Sequence, residues 1–135
     1  MGVFRDAIVK HLQANAGVMA TATKVFPGIP PKKDAVYPFI TVIAQQPQRG
    51  ERVYQAIDHE DATILVKAID QSTSPKKAGE INRLVRAALN DNAALAIPGY
   101  SLINLMWIED MEYAEEVDGI TYQHEGSFYL VQARQ

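Results

Sequence analysis

The order of helix-like and strand-like patterns is the feature that most restricts the fold of this chain. An apolar stripe through Phe4, Ile8 and Leu12 predicts a helix over residues 3 to 15, and a second stripe over residues 78 to 89 predicts another. Three strand-like runs lie between the two helices and two follow the second, which gives the order α-β-β-β-α-β-β. Because the strands come in runs and do not alternate with helices, we expect an α+β fold. It would have a mostly antiparallel four- to five-stranded sheet with two helices packed on one face.

Local signals mark the turns and the helix start. Ser74 is suited to cap the second helix, with Pro75 at its first position. Asp118-Gly119 is typical of a two-residue hairpin turn, and Gly126 indicates a bulge. The strands are expected over residues 25–26, 37–44, 62–69, 100–108 and 120–132.

Composition restricts the class of protein. A chain of 135 residues with 47% apolar and 21% charged residues predicts one globular domain over residues 1–135. The absence of cysteine excludes disulfide scaffolds, thiolate metal sites and a cysteine nucleophile. A net charge of −3 argues against a free-standing nucleic-acid binder. No apolar run reaches the ~20 residues of a membrane span, and the charged, amphipathic start differs from a signal peptide, so we expect a soluble, cytosolically made protein.

No motif points to catalysis. The chain has no G-x-S-x-G, P-loop or H-E-x-x-H sequence. His11 lies on the apolar stripe of the first helix, which predicts a packed histidine. Residues 58–61 (DHED) are of metal-ligand types, but a metal site needs three or four converging ligands. We therefore predict neither enzymatic activity nor a metal or cofactor.

Acidic residues are concentrated near the end of the chain. Residues 109–118 contain six Asp or Glu and no Lys or Arg. This pattern predicts a solvated hairpin tip, a surface ion-pair network within the chain, an acidic contact between copies of the chain, or the lining of a pore through which a polyanion slides. The candidate positive counterparts are Lys32, Lys33, Lys76, Lys77, Arg83 and Arg86.

Residues 45–60 (QQPQRGERVYQAIDHE) are polar around Pro47 and Gly50. This composition predicts a long hairpin arm or a mobile loop.

Several motifs together, in this order and at this spacing, resemble a known family. They are VFPGIP at 25–30, YPFI at 37–40, VKAID at 66–70 followed by SPKKA at 74–78, VDGI at 117–120 and YQHEGSF at 122–128. With the amphipathic first helix, they make the chain similar to the tail completion, or tail terminator, proteins of long-tailed bacteriophages. The resemblance covers nearly the whole chain.

The resemblance implies a structural role in the neck of the virion. Such proteins are made in the host cytoplasm and form a hexameric ring on the last ring of a finished tail tube. The ring ends tube growth and presents a surface to the head connector, while DNA passes through without specific binding. No catalysis or cofactor is implied. Another neck or connector component of related fold, or a small cytosolic metal-dependent enzyme, are the alternatives.

A ring requires two different contact surfaces on each subunit. The long polar arm and the segregated charges are the candidates for them. The residues that we expect at subunit or partner contacts are Arg49, Arg52, Tyr54, Arg83, Arg86, Glu112, Glu115 and Glu116.

Overall fold

Three helices and five strands make up the part of the chain described by a computed structural model, which covers residues 2–31, 33, 35–45, 59–90 and 95–135. In chain order they are α1 (Gly2–Gln13), α2 (Ala16–Thr21), β1 (Val25–Pro27), β2 (Phe39–Ala44), β3 (His59–Gln71), α3 (Lys76–Ala88), β4 (Ser101–Val117) and β5 (Ile120–Arg134). The α+β class is therefore confirmed. The predicted order lacks α2, a short helix between α1 and β1.

The strands form one five-stranded sheet in the order β1-β2-β3-β5-β4. β1 pairs with β2 in parallel, whereas every other pair is antiparallel. The sheet is therefore mixed rather than purely antiparallel. β5 follows the other described strands in the chain but lies inside the sheet, and β4 forms one edge.

The first predicted helix, over residues 3 to 15, is α1, and a second, unpredicted helix follows it directly. α1 ends at Gln13, and the side-chain oxygen of Asn15 accepts a hydrogen bond from the Val18 amide at 3.0 Å, which starts α2. α3 also begins one residue later than predicted. Pro75 is its capping residue rather than its first helical residue, and the Ser74 hydroxyl accepts from the Lys76 amide at 3.3 Å.

All three helices bury their apolar residues in one core on a single face of the sheet, with Ile8, Val18 and Ile81 among the fully buried members. α1 packs against β1 and β2, and α3 packs against β3 and β5. His11 lies between two helices, and its Nε2 is 2.9 Å from the carbonyl oxygen of Ala88 at the end of α3. This contact confirms the prediction of a packed histidine.

β4 is much longer than predicted. It continues through the acidic residues to Val117, so they line a strand rather than a hairpin tip. The predicted turn is confirmed at Asp118 and Gly119, which have φ of 52° and 80°. This pair of positive φ values suits the right-handed twist of the two strands that it joins.

Gly126 is not at a bulge. It pairs in regular register with Lys67 on one side and Met111 on the other, and the register shifts of the hairpin lie in β4, between Leu102 and Asn104 and between Trp107 and Glu109. A Cβ at Gly126 would lie 2.6 Å from the Val66 carbonyl oxygen. Close approach to β3 therefore explains this glycine.

The predicted arm at 45–60 lies mostly outside the described residues, which resume at His59. Its last two residues begin β3.

Candidate assembly interface

A cleft of about 670 Å³ lies between α3 and the edge strand β4. α3 places Asn82, Arg83 and Arg86 along it, because residues three and four apart share one face of a helix. Trp107 and Asp110 of β4 and Glu125 of β5 complete most of the wall. The cleft therefore combines an aromatic side chain with charges of both signs.

Arg86 and Trp107 are joined through Asp110. The Arg86 guanidinium carbon lies 4.3 Å from the centre of the Trp107 ring, and Arg86 Nη1 is 3.6 Å from Asp110 Oδ2. The Trp107 indole N–H donates to Asp110 Oδ1 at 2.9 Å. The cation–π contact and the hydrogen bond together hold the Trp107 ring in place, although Trp107 remains 39% exposed.

Asp110 also forms a hydrogen bond with a buried side chain of β5. The oxygen of the fully buried Ser127 lies 2.6 Å from Asp110 Oδ1 and 3.0 Å from Asn82 Oδ1. Burial alone would raise the pKa of Asp110. The hydrogen bonds from Ser127 and Trp107 and the charge of Arg86 outweigh that effect, so the pKa is lowered. Asp110 is thus held as a carboxylate.

The pKa of Glu125 is shifted in the opposite direction to that of Asp110. Burial raises its pKa, and the nearby carboxylates of Glu112 and Asp110 raise it further. Glu112 is its direct partner across the β4–β5 pair. Its carboxylate also touches α3, since a Cβ on Gly79 would lie 2.8 Å from Glu125 Oε2. Like charges directly opposite each other destabilise a sheet, so this pair carries a cost for the subunit.

A second cluster lies on the sheet face opposite the helices. His124 Nε2 is 2.8 Å from Glu115 Oε1, and the Tyr113 ring stacks on His124 with 4.3 Å between ring centres. Lys67 Nζ donates to the Tyr113 hydroxyl at 3.3 Å. Burial lowers the pKa of His124 and the Lys67 charge adds to this, although the bond to Glu115 opposes both.

The predicted contact residues fall into three groups. Arg83 and Arg86 line the cleft, and the three predicted glutamates all lie on β4. Of these, Glu115 is bonded within the subunit to His124. Arg49, Arg52 and Tyr54 lie in the arm and outside the described residues.

Trp107, Asn82 and Ser127 were not predicted as site residues. In the sequence, Trp107 is one apolar residue among several, and Asn82 and Ser127 have ordinary helix and strand positions. Only the register shift between Trp107 and Glu109, which no sequence signal marks, brings Trp107 and Asp110 to the same side.

Among the described residues, no group of three or more His, Asp or Glu side chains is placed to hold a metal ion. No helix within those same residues has both the length and the apolar character needed to cross a bilayer.

Comparison with known proteins identifies the family. The sequence model of the family described as tail completion protein gp17 matches residues 6–128. A chain from the virion of a native gene transfer agent particle has the same fold, with a TM-score of 0.74 and 16% sequence identity over 97% of this chain and 94% of that one. No curated protein matches the chain by sequence. The chain therefore belongs to the tail completion protein gp17 family, and it is a structural protein of the bacteriophage tail, located in the virion.

Proposed function

We propose that this protein forms a ring that caps the finished tail tube, ends tube polymerisation and provides the joint to the head connector. The ring is a homo-oligomer, six copies by analogy with the family, and DNA passes through it without specific binding. The role is structural and requires no active site.

One structural observation supports this proposal in addition to the family membership. The edge strand β4 exposes large apolar side chains along much of its length. Ile103, Trp107 and Ile108 are 49%, 39% and 43% exposed, and Tyr113 and Val117 are 43% and 48% exposed. Several large apolar side chains exposed along one edge strand favour a protein–protein contact at that edge. A protein that is assembled with other copies or partners in the virion needs such a contact surface.

The first experiment measures native mass over a concentration series, alone and with tail tubes of the phage that encodes the protein. We expect six copies in a ring at the end of each tube, visible by electron microscopy. The length of tubes polymerised in its presence should be fixed, whereas tubes without it should continue to grow.

Two results would contradict the proposal. A stable dimer in which both copies use the same surface is closed by its two-fold axis and does not extend into a ring. Binding to the head connector but not to tail tubes would instead assign the protein to another position in the neck.

A further inference from the structure

The two edges of the sheet carry charges of opposite sign. At one edge, β4 and the turn after it contain six acidic residues and no basic one. At the other edge, Lys24 directly precedes β1, and Lys33 follows it in the connection to β2. Both lysines are exposed, as is Lys10 of α1, the helix that packs over β1.

Most of the acidic charge on β4 is not neutralised within the subunit. Asp110 is bonded to Arg86, and Glu115 is bonded to His124. For Glu109, Glu112 and Glu116, no basic side chain among the described residues lies within 4.0 Å. These three exposed carboxylates therefore give this edge an uncompensated negative surface.

Both edges also expose apolar side chains. In addition to the apolar residues of β4, Ile29 and Val36 between β1 and β2 are 85% and 60% exposed. Each edge therefore has apolar residues beside charge, and the charges are complementary. Complementary charge steers association and fixes the register of a contact whose apolar residues supply the affinity.

The backbone of these edges restricts the kind of contact. The amide of Gly28 and the carbonyl of Lys24 bond to β2, so alternation along the strand turns the backbone of Val25 and Pro27 outward. Pro27 has no N–H to donate. Both register shifts of β4 lie before Glu109, so the restriction on the contact comes from β1, a strand of only three residues. Extension of the sheet by backbone hydrogen bonding is therefore disfavoured, and side chains must form the contact.

We propose that the β4 edge of one copy docks through its side chains on the β1 edge of the next copy. Glu112 and Glu116 face Lys24 and Lys33 across this contact, and the apolar side chains of β4 pack near Ile29 and Val36. The inference rests on the proposed ring, for which it names the two subunit surfaces.

The positions of the two edges suit a ring. Four strand spacings separate β1 from β4, about 19 Å across the sheet. Two different surfaces on opposite sides of a subunit make a head-to-tail contact, which closes into a ring when the rotation between copies allows it.

A charge-swap experiment tests the pairing. One variant carries Glu112→Lys and Glu116→Lys, and the other carries Lys24→Glu and Lys33→Glu. Glu115 is left unchanged because its bond to His124 belongs to the subunit. Circular dichroism and thermal unfolding first establish that both variants fold, and assembly is then read by native mass and by electron microscopy on tail tubes.

Each variant alone should lose more than about tenfold in ring yield, because like charges then meet at every contact. An equimolar mixture should recover rings in which the two variants alternate, since every contact is again between opposite charges. Lys76→Glu with Lys77→Glu, on the first turn of α3, is the matched control. It should assemble like the wild type.

Three results would overturn the pairing. Wild-type ring yield for either variant alone would show that the edge it alters does not carry the contact. Loss of rings in both variants without recovery in the mixture would show that the two edges do not meet each other. An equal loss in the control would show that the effect is not specific to the β1 edge, because it would follow from net charge or from a contact through the first turn of α3. If the wild-type chain itself formed no ring on tail tubes, the proposed function would fail with it, and this outcome is distinguishable from the other three.

Discussion

Replacing Glu112 with lysine is expected to raise the stability of the subunit while it weakens assembly. Glu112 stands directly opposite Glu125 in the β4–β5 pair, and both are on the face that carries Asp110. The substitution turns a repulsive cross-strand pair into an attractive one. Because such pairs contribute roughly 0.2–1 kcal/mol each, the change of sign should add about 1 kcal/mol to the free energy of unfolding. For a domain of this size that corresponds to a rise in Tm of about 3 °C.

Urea and thermal unfolding of the monomer measure this gain, with Glu112→Gln as the matched control. The glutamine variant removes the repulsion without adding attraction, so its stability should lie between those of the wild type and the lysine variant. Added salt should reduce both differences, since Glu112 is exposed and Glu125 is only half-buried. A lysine variant no more stable than the wild type, or a gain that persists unchanged in high salt, would refute the electrostatic reasoning.

Three further predictions concern the sheet. Gly126→Ala should cost about 2 kcal/mol in urea unfolding, because its Cβ would lie 2.6 Å from the Val66 carbonyl oxygen; an unchanged midpoint would contradict the proposed close approach. Burial lowers the pKa of His124 below its ordinary 6.5, so the unfolded chain binds the proton first as the pH falls, and stability should decrease below about pH 6.5. His124→Gln should flatten that slope in unfolding curves recorded from pH 7.5 to 5, and an identical slope would exclude His124 as its source. The Tyr129 hydroxyl is buried without a hydrogen-bond partner among the described residues, so Tyr129→Phe should leave thermal stability unchanged or raise it by up to about 1 kcal/mol, whereas a clear loss would reveal a missed partner. Because burial raises the pKa of Tyr129 to about 12, the same variant should also lose less stability between pH 10 and 12 than the wild type.

The elements with strong local signals could be predicted from the sequence. The apolar stripe of α3, the alternation in β3 and the Asp118-Gly119 turn each follow from side-chain period or backbone preference over a few residues. The motifs in their order also indicated the family, which the match over residues 6–128 confirms.

The features of the sheet that could not be predicted depend on pairing between strands that are far apart in the sequence. The acidic residues 109–117 have no strand pattern of their own, but β5 provides a partner for each of them. A sequence of charged residues is compatible both with a strand and with a solvated turn. Only the length over which β4 pairs with β5 decides between these two structures. The parallel pairing of β1 and β2 is likewise set by the path of the chain between them.

Of the candidate site, only the charged residues could be predicted from the sequence. Arg86 and the β4 glutamates were identified because charge segregation is visible in the sequence. The contact of Arg86 with Trp107 needs a register shift in β4, and the buried support of Asp110 needs Ser127 to lie under it. Both are properties of the assembled sheet.

The position of β5 has a consequence for synthesis. β5 follows β3 and β4 in the chain, yet it lies between them in the sheet. Until β5 has been synthesised, β3 therefore has only β2 as a neighbour, and β4 has none among the described strands. The long-range pairing of β3 with β5 therefore waits for the fifteen residues of β5, and completion of the sheet depends on them. A chain truncated before β5 leaves β4 without the one neighbour that it has among the described strands. The ordered β4 edge, on which the proposed docking depends, is thus acquired only after β5 has been made.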